Sequence, residues 1–599
     1  MPYPEQPAQQ PRRIRWGLLI VLAIVAIFVL GAVLLIAGLA SLMKGQTVTI
    51  KPDATLVLAL NKPLQEREPD PILTELFKAK IYSVYDVVTA LDRAAKDERI
   101  KSLLLDVGLY PPSGLAKTQE IREAVIRFKQ SKKPVLAYFE FTTTGGYYLA
   151  SAADKVYCPP TGNLLFSGPQ ATAPFFGGVL EKFKIEPQLY HIGKYKSYSE
   201  TFTRKDMSEG QREATDAILD SIYGQLVRDV AAGRRISEDQ VRSAVDVSFF
   251  WGDTIKKAGL ADELWYRDQL EEALKKANGN AEKWRSVDIG DYIRDHRVDL
   301  SRGAKKTVAL VLASGGITSG DENSRVQLGQ SENITSDSMV RLLKKLGEKE
   351  DVSAVVLRVD SPGGSALASD VIWRQMQILR KKKPVVISMS DVAASGGYYI
   401  SMGADGIVAQ PGTITGSIGV VSGKFVIKGL MDFIDYNQVT LKRGTNSDIF
   451  SGYTKFTPDQ EELITRNMRS FYDVFVQKAA DGRKMSFDDV DKIAQGRIWS
   501  GEQAKELGLV DQLGGIREAV ELAKEKAKIP KDQAVRIQIF PKPKSFLDAF
   551  VQGKGDDLED LLGRSEVPPE LMQVYEEYRR VRPLVSEPFV AYTPVRVGF

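Results

Sequence analysis

Cysteine and histidine are scarce in this chain of 599 residues: Cys158 is its one cysteine, and His191 and His296 are its two histidines. A single cysteine excludes a disulfide framework and a cysteine-based metal site. An excess of charge is also lacking, because 81 basic and 77 acidic residues leave a net charge of +4. So small a net charge gives little reason to expect nucleic acid as a partner.

Charged residues are absent from residues 16–43, a run rich in Leu, Ile, Val and Ala. About 20 apolar residues span a bilayer core, so this run is long enough for a transmembrane helix. Three arginines within residues 12–15 predict, by the positive-inside rule, a cytoplasmic tail over residues 1–15. A cleaved signal peptide is the alternative, but its apolar region would be only about 7–15 residues long. We therefore expect a single-pass membrane protein whose residues after the span lie outside the cytoplasm.

The rest of the chain contains an internal repeat, in which Ser395-Gly-Gly-Tyr-Tyr follows Thr144-Gly-Gly-Tyr-Tyr by 251 residues. Each copy reads as strand, turn, amphipathic helix and strand, with the helices predicted near residues 116–130 and 366–380. Both helices end at Lys-Lys-Pro, because proline cannot continue a helix. Units of this kind predict right-handed crossovers and an α/β fold with mainly parallel sheets.

The repeat divides the extracytoplasmic part into two tandem domains, residues 47–300 and residues 306–540. The polar and charged segment 276–306 is predicted to connect them. Residues 541–599 form a C-terminal tail to which the sequence assigns no role.

The two copies differ at the turn that follows the second strand. The second copy reads Asp360-Ser-Pro-Gly-Gly-Ser365, whereas the first reads Leu109-Tyr-Pro-Pro-Ser-Gly114 without a glycine pair. Adjacent glycines let backbone N–H groups approach an anion, as an oxyanion hole requires, and a proline removes such a donor. Only the second copy is therefore suited to stabilise a tetrahedral intermediate.

A serine with small neighbours, Ser395, lies at a predicted strand-to-helix junction of the second copy, where the first copy has Thr144. Small neighbours let a substrate carbonyl reach the hydroxyl, and the N–H of Gly396 can face the same oxygen. A serine before Gly-Gly is, by itself, more often a helix N-cap. Together with the upstream Ser-Pro-Gly-Gly it is a candidate nucleophile.

A serine nucleophile needs a base, and neither His191 nor His296 has a counterpart in the second copy. The alternative is a lysine whose amine is kept neutral by burial, because desolvation can lower the pKa of a lysine by several units. Lys196 is the candidate; its counterpart in the second copy is Asn446 or Ser447, depending on register. The first copy thus keeps the lysine without the serine, and the second keeps the serine without the lysine.

These motifs resemble those of the signal peptide peptidase A family, also called protease IV, in its long, duplicated form. The resemblance runs from the apolar N-terminal segment to about residue 540. Its motifs are Ser-Pro-Gly-Gly (361–364), Ala-Ala-Ser-Gly-Gly-Tyr (393–398), Thr-Gly-Ser-Ile-Gly (415–419) and Gly-Lys-Tyr-Lys-Ser (193–197). It implies tandem ClpP/crotonase-like domains and hydrolysis of leftover signal peptides.

The resemblance also implies roles for single residues and for partners. The implied site residues are the nucleophile Ser395, the general base Lys196, the orienting hydroxyl of Ser417, and oxyanion-hole N–H groups at Gly363, Gly364 and Gly396. Signal peptides are the implied substrates and a homotetramer the implied assembly. Neither a metal nor an organic cofactor is expected.

Two alternatives come from the fold, which does not by itself determine function. Crotonase-like domains also support acyl-CoA chemistry, but an extracytoplasmic location without coenzyme A argues against it. A catalytically inactive crotonase-like membrane scaffold is the other alternative. The presence of both Ser395 and Lys196 argues against that, because an inactive copy would resemble the first half.

Overall fold

The computed structural model describes residues 50–60, 64–67, 82–108, 113–280, 283–296, 304, 306–320, 333–541, 590–592 and 596–598. The predicted cytoplasmic tail and transmembrane helix, and most of the tail 541–599, lie outside these residues. Within the described ranges, no helix is long and apolar enough to cross a membrane.

The first half has its elements in the following order: β1 Ala54–Ala59, α1 Val84–Ala94, β2 Ile100–Asp106, α2 Leu115–Lys129, β3 Val135–Tyr138, β4 Phe141–Thr143, α3 Thr144–Ala150, β5 Lys155–Cys158, β6 Asn163–Phe166, β7 Gln170–Thr172, α4 Gly177–Lys182, β8 Glu186–Ile192, a 3₁₀ turn Ser197–Ser199, α5 Glu200–Thr203, α6 Glu209–Arg234, α7 Glu238–Val247, β9 Ser248–Trp251, α8 Asp253–Lys257, β10 Glu263–Leu264, α9 Arg267–Ala277, β11 Ser286–Asp288 and α10 Ile289–His296.

The second half and the tail have these elements: β12 Thr307–Ser314, β13 Ile317–Thr318, β14 Ile334–Thr335, α11 Ser336–Glu348, β15 Val352–Ser361, β16 Gly363–Ser365, α12 Ala366–Arg380, β17 Val385–Ala394, α13 Gly396–Tyr399, β18 Gly406–Ala409, β19 Ile414–Gly416, β20 Val420–Val426, α14 Lys428–Phe433, α15 Pro458–Arg483, α16 Phe487–Ile493, β21 Ile498–Ser500, α17 Gly501–Glu506, β22 Gln512–Leu513, α18 Ile516–Lys526, β23 Arg536–Phe540, β24 Val590–Tyr592 and β25 Arg596–Gly598.

Each half is built on a parallel sheet, and the two sheets have the same strand order. The first sheet runs β10-β5-β3-β2-β1-β11, and the second contains the equivalent path β22-β18-β17-β15-β12-β23. All pairs along both paths are parallel. The central strands are apolar and buried on both faces, as helix-covered parallel strands are. The α/β prediction with mainly parallel sheets is therefore confirmed.

The predicted connection between the halves differs from the structure in part. Its residues 286–296 form β11 and α10, and β11 pairs parallel with β1 at the edge of the first sheet. An edge strand of three residues with one buried position needs few apolar side chains, so its polar composition does not distinguish it from a linker.

A further sheet joins the two halves, in the order β14-β13-β16-β24-β20-β8. Strand β8 belongs to the first half and pairs antiparallel with β20 of the second over seven residue pairs, from Val420↔Ile192 to Val426↔Glu186. This pairing brings the chain that follows β8 to the carboxyl ends of the strands of the second sheet.

Candidate active site

Ser395 lies between the end of β17 and the start of α13, at the predicted strand-to-helix junction. Its backbone has φ 56° and ψ −113°, a conformation that costs a non-glycine residue energy and that is concentrated at functional sites. The serine is buried. A Cβ at Gly396 would lie 2.7 Å from Ser369 Oγ and 3.1 Å from the Cα of Gly363, so the junction requires small residues.

The glycine pair of the second half forms the start of β16, directly beside this junction. Gly363 has φ 107° and Gly364 has φ 154°, and a Cβ at Gly364 would lie 2.0 Å from the carbonyl oxygen of Ile317. The N–H of Gly363 donates to Ser361 Oγ at 3.2 Å. A Cβ at Gly396 would also lie 3.1 Å from the backbone nitrogen of Gly364, so these two glycines meet beside Ser395 and are candidates to donate to an oxyanion.

Lys196 follows β8 and extends from the first half into the second. Its Nζ lies 2.6 Å from Ser395 Oγ, 2.9 Å from the carbonyl oxygen of Ser417 and 3.0 Å from Ser417 Oγ. Ser395 and Ser417, both predicted to act with this lysine, therefore lie within hydrogen-bond distance of its Nζ. Ser417 itself has φ 53°, and its N–H donates to the carbonyl oxygen of Arg497.

These three oxygen contacts fit a neutral amine. The Ser417 carbonyl oxygen can only accept, so it takes one N–H of Lys196, and Ser417 Oγ can take the second. A charged amine donates to Ser395 Oγ across the 2.6 Å contact, whereas a neutral amine held by Ser417 has its lone pair left to accept the Ser395 hydroxyl proton there. A protonated amine has no lone pair and could not accept that proton.

Burial favours the neutral amine. Lys196 is 1% exposed, and within the described ranges no carboxylate forms an ion pair with it. Desolvation therefore places the pKa of Lys196 well below the ordinary 10.5 of a lysine, since burial in low dielectric penalises the charged form.

Three glycines let the lysine reach this position, and one of them, Gly496, lies outside the motifs recognised in the sequence. A Cβ at Gly496 would lie 2.5 Å from the Cβ of Lys196, and one at Gly419 would lie 3.1 Å from its Cδ. Gly193, with φ 110°, packs against the backbone of Gln495. Gly193 and Gly419 belong to the motifs Gly-Lys-Tyr-Lys-Ser and Thr-Gly-Ser-Ile-Gly, whereas Gly496 belongs to neither.

The other candidate bases have other partners or other positions. His191 Nδ1 pairs with Ser199 Oγ at 2.9 Å, and His296 ends α10 in the first half. Lys194 and Lys442 lie close in sequence to Lys196 and to its second-half counterpart, but they are exposed and pair with Glu213 and Asp448. Asn446 and Ser447, the counterparts of Lys196, lie in an exposed segment.

Comparisons with known proteins agree with the repeat. The model of peptidase family S49 matches residues 127–281 and again residues 377–530, and the Clp protease model matches residues 321–411. The chain is 34% identical to the chloroplastic serine protease SPPA of Arabidopsis thaliana, over 78% of this chain and 69% of that protein. It is 31% identical to Protease 4 of Haemophilus influenzae, over 85% of each chain, and 33% identical to Protease 4 of Salmonella typhi, over 75% of this chain and 72% of that protein.

Proposed function

The chain belongs to peptidase family S49 and is a serine protease, and from that premise we propose that it is a membrane-anchored endopeptidase with Ser395 as nucleophile and Lys196 as base. We propose further that it degrades released signal peptides and similar apolar peptides outside the cytoplasm. The observation that carries the proposal is the 2.6 Å contact between Lys196 Nζ and Ser395 Oγ in a buried site.

The proposed reaction begins when neutral Lys196 takes the proton of Ser395 and Oγ attacks the scissile carbonyl carbon. The N–H groups at Gly364 and Gly396 stabilise the oxyanion, and one such donor contributes roughly 3–4 kcal/mol to the transition state. Lys196 then protonates the leaving amine as the peptide bond breaks. Water, deprotonated by the same amine, hydrolyses the acyl-enzyme and releases the carboxylate product.

Ser417 has the proposed role of orienting the amine. Its carbonyl and hydroxyl oxygens hold two N–H groups of Lys196, which leaves the lone pair in one direction only. The amine is then aligned with the Ser395 hydroxyl before substrate arrives, so little reorganisation is needed in the transition state.

A place for an extended peptide lies beside this site. Strand β24 of the tail lies between β16 and β20 and pairs antiparallel with both, with Gly364 opposite Ala591 and Val421 opposite Val590. A slot between two strands recognises the backbone of any extended peptide, because main-chain hydrogen bonds supply the affinity. We propose that a substrate strand binds in this slot, where β24 now lies.

Peptide substrates should therefore be cleaved in competition with the tail. We expect the detergent-solubilised chain to hydrolyse an apolar signal peptide at least tenfold faster, by kcat/KM, than a peptide of equal length with Ser and Asn in place of its Leu and Ile. Ala591→Pro should lower KM severalfold with kcat unchanged, because proline removes a backbone donor from β24.

Val597→Pro is the matched control, because β25 pairs with β7 and not with the slot. Equal KM values for wild type and the Ala591→Pro variant would show that peptides do not bind where β24 lies. Equal cleavage of the two peptides would contradict the proposed substrate class.

The membrane anchor and the location stay proposals that rest on the uncharged residues 16–43. Such a span with arginines on its N-terminal side supports an anchor in the bacterial inner membrane and periplasmic catalytic domains. Signal peptides are released into that same membrane environment, so an anchored enzyme would encounter them there.

The repeat also supports assembly of several copies. The second-half counterpart of β8 is segment 436–443, which is exposed and has no secondary structure, with Val439 and Leu441 each 89% exposed. The first-half counterpart of β20 is β7, which has β25 as its one strand partner within the described ranges. We propose that segment 436–443 of one copy pairs with β7 of the next, repeating the β8–β20 contact head to tail. A head-to-tail contact gives a ring when its rotation closes, and the ring that we propose is a homotetramer.

Breaking this contact should dissociate the assembly. Leu441→Asp is expected to reduce the mass of the solubilised protein, measured by light scattering, from a multiple of 66.3 kDa to that of one chain. A charge in place of an exposed apolar side chain costs little in the monomer but much once the contact is buried. Val247→Asp, at a position 62% exposed on α7, is the control and should leave the mass unchanged. A wild-type protein with the mass of one chain would contradict the ring.

A further inference from the structure

We propose that Lys117, on the first turn of α2, is a positioning residue that holds the nucleophile strand and the oxyanion strand of the second half in register. The inference rests on the proposed roles of Ser395 and the glycine pair. It assigns a second function to the first half, beyond supplying Lys196.

Lys117 bridges two carboxylates on neighbouring strands. Its Nζ lies 2.6 Å from Asp360 Oδ2 and 3.0 Å from Asp391 Oδ2. Its backbone N–H donates to Asp391 Oδ1 at 3.0 Å, so this lysine contacts Asp391 twice. A Cβ at Gly114 would lie 1.9 Å from Asp391 Cγ, so the start of α2 fits closely against this side chain.

The two carboxylates flank the catalytic segments. Asp360 directly precedes Ser361 and the turn that carries the glycine pair, and Asp391 lies four residues before Ser395. At this point the pairing of β15 with β17 shifts: Val359 is opposite Met389, but Ser361 is opposite Ala393. The nucleophile strand therefore contains two extra residues opposite Asp360. A bulge of this kind re-aims the residues that follow it and needs fixed contacts to hold its shape.

Asp360 and Lys117 together supply those contacts. Asp360 Oδ1 accepts from the N–H of Val392 within the bulge at 3.2 Å, while Oδ2 accepts from Lys117. All three charged side chains are less than 20% exposed, so water screens their charges weakly. Without the Lys117 ammonium group, the carboxylates of Asp360 and Asp391 would repel each other across the bulge.

The surrounding charges do not replace Lys117. Behind it, the buried Arg358 pairs with Glu66 at 2.9 Å and with Glu120 at 2.9 Å. Glu66 also approaches Lys117 at 3.9 Å, which adds a third carboxylate to its surroundings. Arg358 is therefore already shared between two acids and does not neutralise Asp360 and Asp391 in place of Lys117.

Loss of Lys117 should misplace the catalytic groups without removing any of them. We expect Lys117→Met to lower kcat by roughly 10–100-fold at pH 8–9 with KM changed less than threefold, because a displacement of about 1 Å can cost about 100-fold in rate. The second-order rate of Ser395 labelling by a fluorophosphonate should fall by the same factor.

The pH profile distinguishes positioning from a general structural role. Wild-type activity should rise with pH as Lys196 loses its proton. In Lys117→Met the two carboxylates can share a proton, as close carboxylate pairs do, and this holds the strands together only at lower pH. The variant profile should therefore rise and then fall.

A charge-balanced variant tests the same point at alkaline pH. Lys117→Met combined with Asp391→Asn removes the repulsion, and its activity at pH 9 should recover to within about fivefold of wild type. Lys129→Met, on the same helix and paired with Asp154, is the control and should retain wild-type activity.

A pH profile of activity in Lys117→Met equal to that of the wild type would overturn the inference. The inference would also be wrong if Lys117→Met lost the same fraction of activity at every pH and adding Asp391→Asn did not restore it. If Lys117→Met fails to fold, the double variant should still fold and cleave; failure of both would also overturn it. An inactive wild type would instead contradict the proposed function.

Discussion

Replacing Ser395 by alanine is expected to lower kcat for peptide hydrolysis by roughly 10⁴–10⁶-fold, the range found when a serine nucleophile is removed. The protein should remain folded, because alanine keeps the Cβ at this strained position and removes only the oxygen atom. Lys196 would lose one of its three oxygen contacts and keep the two to Ser417. Steady-state kinetics measure the loss of kcat, and thermal melting shows whether the variant is folded. Mass spectrometry after fluorophosphonate treatment should show a label on the wild type and none on the variant.

Ser401→Ala is the matched control for this prediction. Ser401 is also a buried serine of the second half, and its Oγ donates to the carbonyl oxygen of Gly397. It has no contact with Lys196, so its loss should affect stability slightly and activity hardly at all. Activity of Ser395→Ala within about tenfold of wild type, with a clean melting transition, would show that Ser395 is not the nucleophile.

The fold could be predicted from the sequence because the same pattern of strands and helices occurs in both halves. Short buried strands and amphipathic helices recur at the same interval, and the predicted helices near 116–130 and 366–380 are α2 and α12 within one residue. Buried parallel strands are continuous apolar runs, which a sequence displays directly. The strand β11 could not be predicted in this way, because an edge strand does not need such a run.

The candidate site was accessible only in part, and the reason is the sequence separation of its members. Ser395 and the glycine pair follow strands of one domain, so their proximity follows from the parallel topology. Lys196 is 199 residues from Ser395 and reaches it through the β8–β20 pairing, which no local pattern encodes. Lys196 could be predicted as the base because the second copy has no lysine at the equivalent position and because the family resemblance implies it. Its catalytic role stays a prediction.

Contacts that form only in the assembled structure could not be predicted. Gly496 must be small because Lys196 packs against it, and Lys117 contacts the strands of the other half. From the sequence alone, Lys117 is one of many lysines on amphipathic helices, where a solvated position is the usual interpretation.

The second large effect is expected at Lys196. Lys196→Met should lower kcat by roughly 10³–10⁶-fold, because a base of the catalytic pair is lost while the nucleophile remains. In the wild type, activity should rise with pH through a pKa well below 10.5, since only the neutral amine can accept the serine proton. Lys194→Met, which removes an exposed ion pair with Glu213, is the control and should retain the wild-type profile.

The Lys196→Met variant should be at least as stable as the wild type although it loses activity. Because the pKa of Lys196 is lowered by folding, the unfolded chain binds a proton that the folded chain does not, at any pH between the folded value and the ordinary 10.5. In that window the lysine lowers the free energy of unfolding, and the cost shrinks as pH rises toward 10.5. Lys196→Met removes the cost and fills the same space with an apolar side chain, so its melting temperature at pH 7–8 should equal or exceed that of the wild type. A structural lysine would show the reverse: a variant that melts at a lower temperature but still cleaves peptides would show that Lys196 is not the base.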